Sequence, residues 1–159
     1  MPQPGTGVRR GHGPLCGRTG SVTTYSLSRF PESLAIVQLG PGAEIPEWAE
    51  SSSIFSVTAT ATETSIVCAA RSVPVKARSH KPYTAFAVEP EEGSADFDLS
   101  SGVTGVLVAL LAPLAEADVS VFALSTFGTD WILVPKNDAD KAEEAWRRSG
   151  HAVAPAVPV

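Results

Sequence analysis

The order of strand-like and helix-like segments in the second half of the chain is the feature that most constrains its fold. Short apolar runs at residues 83–90, 119–125 and 130–135 are rich in β-prone residues, and each predicts a strand. Two further segments predict helices, an apolar one at about 101–117 and an amphipathic one at about 138–149, and "HAVAP" allows a closing strand. The resulting order, strand, helix, strand, strand, helix, strand, is that of a ferredoxin-like βαββαβ unit.

The first half repeats this order in part. "SLAIVQLG" (33–40) predicts a strand and "IPEWAESS" (45–52) one short helix, and the alternating "FSVTATATE" (55–63) is expected to form a hairpin with "TSIVCAA" (64–70). A second helix is missing, so we expect a truncated copy of the same unit and hence an internal repeat. Pairing of the two sheets is expected to bury the helix at 101–117, which is apolar on nearly all sides.

We expect no packed structure in the segments at the two ends of the chain. Residues 1–27 are crowded with Gly, Pro and Arg and carry no apolar period, so we expect a disordered N-terminal tail. Residues 154–159, "APAVPV", predict a loose C-terminal tail. Between them we expect a first, truncated domain at 28–79 and a second domain at 80–153. The predicted fold class is therefore α+β, with two ferredoxin-like units side by side.

Composition and charge exclude several classes of partner. The chain has 159 residues, 43% of them apolar, and a net charge of −5 without a basic stripe, so we expect a globular protein that binds neither nucleic acid nor membrane. The longest apolar run, residues 103–115, is too short to cross a bilayer. Cys16 and Cys68 match no disulfide framework and no zinc-binding spacing, which predicts a cytoplasmic protein with Cys68 as a small core residue.

No catalytic motif is legible in the sequence. Catalysis needs a nucleophile with a base, paired carboxylates in a cleft or a set of metal ligands. His12, His80 and His151 lie outside any motif, and the "GTG" and "GHG" near the N-terminus are not phosphate loops. We therefore expect no enzyme activity, no metal and no cofactor.

The pattern from Ser33 to Val153 as a whole resembles the small bacterial proteins with tandem ACT-type domains that are related to the CASTOR arginine sensors. The resemblance rests on "SLAIVQLGPGAEIPEWA", "FSVTATATETSIVCAARSVP", "YTAFAVEP", "VTGVLVALLAPLAEADVSVFALSTFGTDWILV" and "DADKAEEAWRRSGH". It implies a pair of ACT-like βαββαβ domains packed side by side. ACT domains typically bind small effectors, most often amino acids, where domains meet. The sensors contain four ACT units, so the resemblance also implies a homodimer.

The resemblance further implies where a ligand binds. In the arginine-sensing members the ligand lies between the loop entering a domain's first helix and the loop leaving its second strand. Thr126, Phe127 and Asp130 match residues that touch the ligand from the second loop, and the first loop corresponds to Leu99–Val106. This chain has "SSGVTG" where the arginine sensors carry an acidic pair before the helix, so the identity of the amino acid stays open.

The chemistry of these two loops suits an α-amino acid. A helix starting near Ser101 presents unpaired N–H groups and the positive end of its dipole to a carboxylate, and Gly102 permits close approach to that backbone. Asp130 can accept hydrogen bonds from an ammonium group, and Phe127 offers an apolar wall or a cation–π face. The predicted ligand-binding residues are Ser101, Gly102, Val103, Thr104, Ser125, Thr126, Phe127 and Asp130.

Each half of this site has a second interpretation. "STFGTD" is also typical of a hairpin turn whose Asp130 satisfies local backbone groups, and "SSGVTG" is typical of a helix N-cap with small residues for close packing. Two functions therefore stay open: an amino-acid-binding regulatory module, or a ligand-independent structural module that mediates dimer or partner contacts. A cavity between the two loops favours the first function, and a filled interface favours the second.

Overall fold

A single sheet carries the helices in the computed structural model, which describes residues 24–89 and 105–156. The strands in these ranges are β1 (Ser26–Arg29), β2 (Leu34–Leu39), β3 (Ser56–Ala59), β4 (Thr64–Ala69), β5 (Ser79–Glu89), β6 (Phe122–Ser125), β7 (Asp130–Pro135) and β8 (Ala152–Ala154). The helices are α1 (Glu47–Glu50), α2 (Val106–Glu116) and α3 (Ala139–Arg148), with 3-10 turns at Ala70–Ser72 and Lys136–Asp138.

Strand β5 lies at the centre of the sheet. Along one of its edges β1 pairs with Phe86–Glu89 and β2 with Ser79–Tyr83, both antiparallel. Between them the Phe30 amide continues the ladder by donating to the Ala85 carbonyl at 2.9 Å. On the other edge β7 pairs antiparallel with Tyr83–Ala87. The middle of β5 is therefore hydrogen-bonded on both sides, as a buried central strand requires.

Strand β5 also belongs to two βαββαβ-type units at once. In the first unit the strand order is β3-β4-β2-β5, with α1 between β2 and β3 and the turn at Ala70–Ser72 in place of a second helix. In the second unit the order is β8-β1-β5-β7-β6, with α2 following β5 and α3 following β7. The predicted α+β fold with two ferredoxin-like units, the first of them truncated, is confirmed.

Strand β1 corrects the last few residues of the disordered tail predicted over residues 1–27. Leu27 is 1% exposed, because β1 lies between β5 and β8 and directs this side chain into the core. Tyr25 is buried next to it, and its carbonyl accepts a hydrogen bond from the Ala152 amide at 2.9 Å. The alternation of "YSLS" is too short to predict a strand without its pairing partners. Residues 1–23 lie outside the described residues.

The predicted division into domains at 28–79 and 80–153 differs from the sheet in three places. β1 precedes the first unit in sequence but pairs with β5 and β8 of the second. β5 begins at Ser79 and spans the predicted boundary, and β8 ends at Ala154, inside the tail predicted at 154–159. The reason is physical, since backbone pairing across the sheet, not order along the chain, decides which unit a strand completes.

The helices pack on one face of the sheet and bury two apolar clusters. In the second unit the fully buried Trp146 lies edge-on to Phe86, with ring centroids 4.8 Å apart, and donates its indole N–H to the Leu110 carbonyl at 2.8 Å. This one side chain therefore joins α3 to both the sheet and α2. In the first unit Ala49 of α1 packs with Val37 and its neighbours.

The opposite face of the sheet has an apolar cluster to which no described helix contributes. Its buried members are Leu34, Val67, Ala85 and Leu133, and larger, partly exposed side chains surround them. One layer of helices on one sheet cannot bury a helix on all sides. The expected burial of α2 is therefore wrong: Leu110 and Leu114 are fully buried, whereas Val108 on the outer side is 73% exposed.

The register of β1 generates a testable prediction. Leu27→Ala is expected to lower the free energy of unfolding by about 2–4 kcal/mol, because it removes a buried side chain and leaves a cavity between β1 and the helices. Ser26→Ala changes an exposed neighbour in the same strand and is expected to have an effect within about 0.5 kcal/mol. Urea denaturation followed by circular dichroism measures both. Equal small losses for the two variants contradict the placement of β1 in the core.

Candidate functional site

The break in the apolar pattern after residue 124 is a hairpin loop. Ser125 ends β6 and lies opposite Asp130, which begins β7, and four residues connect them. The Thr126 amide donates to the Thr129 carbonyl at 2.9 Å, and the Thr126 hydroxyl donates to the same oxygen at 3.1 Å. Gly128 is in this loop and has open space around its α-carbon. The hairpin-turn interpretation of "STFGTD" therefore describes the local backbone.

Asp130 is the buried polar group of this hairpin. It is 6% exposed, and the Ser125 hydroxyl donates a hydrogen bond to its Oδ1 at 2.5 Å. An ionised carboxylate has acceptor positions for about four hydrogen bonds, so one hydroxyl leaves capacity for further donors. The hydrogen bond fixes the side chain at the end of the two strands, and this gives Asp130 a defined orientation.

Phe127 and Thr126 are on the outside of the same loop. Phe127 is 93% exposed at the tip of the hairpin, so it forms no apolar wall with the described residues around it. Thr126 is also exposed and uses its hydroxyl to close the loop. Of the four residues predicted on this side of the site, the structure brings Ser125 and Asp130 into contact and leaves the other two on the surface.

The other side of the predicted site lies largely outside the described residues. Ser101, Gly102, Val103 and Thr104 are all in the segment 90–104, so their approach to Asp130 stays a prediction. The helix itself begins at Val106, about one turn after the predicted start near Ser101. Gly105 has φ +95°, a left-handed conformation that cannot continue an α-helix towards the N-terminus. The amides without a partner inside this helix are therefore those of Val106–Val108.

The surface clefts lined by described residues include three. One of about 420 Å³ lies beside Phe30–Ser33, and one of about 310 Å³ lies between the start of β5 and residues 135–137. The third, of about 490 Å³, lies where the two units meet, and we call it the junction cleft. It is lined by Ile36, Val37, Gln38, Glu63, Ser65, Arg78, Ser79, His80, Tyr83, Val121 and Phe122. None of these three clefts includes a residue of the hairpin loop.

The junction cleft could not be predicted from the sequence because its polar residues come from separate segments. Gln38, Glu63 and Arg78 are far apart along the chain, and only the pairing of β2 with β4 and β5 brings them together. One local signal was present in the sequence. Gln38 is the single polar residue in the apolar strand "LAIVQL", and a polar residue at such a position indicates a specific contact or role.

Cys68 is the free cysteine of the described chain and lies fully buried in the core of the first unit. Burial raises the pKa of the Cys68 thiol, and the Lys81 ammonium partly opposes this rise. The prediction of a small core residue agrees with this position. Across residues 24–89 and 105–156, no three His, Cys, Asp or Glu side chains come together as a metal site requires. No helix in those ranges is long and apolar enough to span a membrane.

A protein-family model matches the segment that contains the hairpin. The model of the ACT domain matches residues 93–148, which include α2, β6, β7 and α3. The chain therefore carries an ACT domain in this segment. A second family model, which describes an N-terminal domain, matches residues 32–76 of this ACT-domain protein and covers most of its first unit.

Known proteins are similar to this ACT-domain protein in sequence or in fold. Human CASTOR3P is 42% identical over 57 residues, which are 35% of each protein, so the match spans about a third of that relative. Protein Atu0741 from Agrobacterium tumefaciens is 27% identical in a structural match with a TM-score of 0.75 that covers 86% of this chain and 96% of the other. The regulatory subunit of aspartate kinase from Thermus flavus matches with a TM-score of 0.51 at 9% identity, over 81% and 98% of the two chains. This last likeness concerns the fold alone.

The contact between Ser125 and Asp130 generates a second prediction. Ser125→Ala and Asp130→Asn are each expected to destabilise the protein, and the double variant to lose less than the sum, with a coupling energy of about 1–2 kcal/mol. Urea denaturation of the four proteins measures this energy. Ser125→Ala combined with Thr58→Ala, an exposed position on β3, is the matched control and should be additive. Additivity within the Ser125–Asp130 pair contradicts a stabilising contact.

The buried thiol generates a third prediction, tested in a Cys16→Ser background so that Cys68 is the one remaining cysteine. The folded state binds the thiol proton more tightly than the unfolded state does. The contribution of Cys68 to stability is therefore fully present below the unfolded pKa of about 8.5 and is lost as the pH rises through the folded pKa. Unfolding free energies measured from pH 7 to pH 10 should fall more steeply with Cys68 than in Cys68→Ala. Parallel pH profiles contradict the raised pKa.

Proposed function

We propose that this ACT-domain protein is a regulatory module that binds a small, amino-acid-like ligand where ACT domains meet. The observation that carries the proposal is the buried, oriented carboxylate of Asp130, which lies within the ACT match at the loop leaving the second strand of its unit. A buried carboxylate with acceptor capacity to spare suits the ammonium group of an amino acid. Ser125 orients Asp130 for this role.

The carboxylate of the ligand is proposed to bind on the helix side of the site. The segment Ser101–Thr104 leads to Gly105, and the amides of the first turn of α2 have no partner within the helix. Backbone N–H groups and the positive end of the helix dipole favour an anion there. With Asp130 at the other side, the two ends of an α-amino acid each find a complementary group.

A homodimer is part of this proposal. Val108 on α2 and Phe127 at the hairpin tip are apolar and strongly exposed, and both belong to the ACT unit that carries the site. A second copy packed against this surface removes apolar area from water and gives Phe127 a neighbour, so that it can form a wall of the ligand site. A ligand held between two copies then changes their association, which is how such a module regulates. A cytoplasmic location fits the free thiol of Cys68.

A second candidate function rests on the same hairpin. The hydrogen bond from Ser125 to Asp130 satisfies part of the carboxylate without any ligand, and the exposed Val108 and Phe127 suit a permanent dimer or a protein partner. In this case the protein is a ligand-independent structural or interaction module.

A thermal-shift screen of the twenty amino acids tests the proposal. An amino acid present at a hundred times its Kd is expected to add about 2.7 kcal/mol to the stability of the folded state. Asp130→Asn removes the charge that binds the ammonium group at the hairpin and should abolish the shift caused by a ligand of this site. Asp118→Asn removes an exposed carboxylate elsewhere, at a position with φ +53° that Asn tolerates, and should keep the shift.

Sedimentation equilibrium separates the two candidate functions. A ligand that shifts the melting temperature and also the monomer–dimer equilibrium supports the regulatory module. A dimer that forms without ligand, is disrupted by Val108→Glu and responds to none of the twenty amino acids at millimolar concentration supports the structural module.

A further inference from the structure

We infer that the junction cleft is a second ligand site, suited to a small zwitterion with an apolar tail, such as an α-amino acid with an apolar side chain. The inference rests on the cleft's own residues and is independent of the hairpin. The cleft volume of about 490 Å³ lies within the range of about 300–1,000 Å³ that is typical of sites for small molecules. Its lining is divided into a charged end and an apolar end.

Gln38 organises the charged end. Its side-chain amide donates to Glu63 Oε2, and its backbone amide donates to the Arg78 carbonyl at 3.0 Å. Gln38 thus contacts Glu63 through its side chain and lies beside Arg78 in the backbone ladder, and both charged residues line the cleft. The ion pairs found within the described ranges include neither Glu63 nor Arg78, so both charges remain available to a ligand there.

The apolar end is formed by residues of both units. Ile36 comes from β2 of the first unit and Tyr83 from the shared strand β5. The second unit supplies Phe122, the first residue of β6, and Val121 just before it. Ile36, Tyr83 and Phe122 also belong to the apolar cluster on the sheet face to which no described helix contributes. An apolar group placed here leaves water and covers this surface.

The two ends match the geometry of an α-amino acid. Its ammonium and carboxylate groups are attached to the same carbon, so an acid and a base that lie close together in a site can bind both. The Arg78 guanidinium can bind the carboxylate with two parallel hydrogen bonds. Glu63 has a second carboxylate oxygen for the ammonium group, with the Ser65 hydroxyl beside it, and the ligand side chain lies towards Phe122.

The junction cleft is a different site from the hairpin. Phe122 begins β6 and Ser125 ends it, so the two sites are about 10 Å apart along one edge strand. A ligand in the cleft contacts strands of both units and therefore favours one arrangement of the sheet between them. Binding there can influence the hairpin through β6 without touching it.

Isothermal titration calorimetry with L-leucine, L-methionine and L-phenylalanine tests the inference. At least one of them is expected to bind saturably to the wild-type protein. For the tightest one, the analogue without the amino group and the analogue without the carboxylate should each bind at least about tenfold more weakly, because each loses one charged hydrogen-bonding partner.

Matched variants locate the binding. Arg78→Gln and Glu63→Gln each keep the length of the side chain and remove one charge, and each should weaken binding at least about tenfold. Arg148→Gln removes the charge of an exposed arginine on α3, 76% exposed and paired with Glu144, and should leave the affinity unchanged. Circular dichroism confirms that each variant is folded.

The outcomes separate this inference from the proposed function. Binding that is lost in Arg78→Gln and kept in Asp130→Asn assigns the ligand to the junction cleft. Binding that is lost in Asp130→Asn and kept in Arg78→Gln overturns the inference while it supports the hairpin site. Equal effects of Arg78→Gln and Arg148→Gln, or no saturable binding of the three amino acids at millimolar concentration, also overturn it.

Discussion

Backbone pairing on both edges of β5 is the interaction on which the rest of the structure depends. The beginning of this strand holds β2, its end holds β1, and β7 occupies the opposite edge. No loop separates the part of β5 in the first unit from the part in the second. The two units therefore cannot turn about a flexible linker, and a change in one of them reaches a strand that the other shares.

Local pattern was sufficient to predict the elements whose neighbours lie close in sequence. The hairpin of β3 and β4, the bounds of β7 and the amphipathic helix α3 follow from alternation, turn residues and helix periodicity within a few residues of each element. Strand β1 could not be predicted in this way, because the burial of Tyr25 and Leu27 depends on the pairing of β1 with β5 and β8. The start of α2 was misplaced since its position depends on the backbone conformation of Gly105.

The two candidate sites also differ in how far the sequence could predict them. Asp130 was identifiable because a charged residue interrupts an apolar run, and the structure shows that this carboxylate is buried and hydrogen-bonded to Ser125. The charged end of the junction cleft was not identifiable, because Glu63 and Arg78 each lie beside a strand end and are brought together only through Gln38. A site whose residues lie within one loop can be predicted from a sequence. A site whose residues are brought together by strand register cannot.

Parallel pairing joins β1 to β8 across nearly the whole described chain, with Ser26 opposite Ala152. Because β8 leaves the ribosome after every other described strand, one edge of β1 has no partner until translation has passed Ala154. Contacts so distant in sequence carry a large loop-closure cost and slow the folding of a domain. The second unit therefore completes its sheet only after synthesis of the first, and a cut between the two units leaves neither fragment with all of its strands.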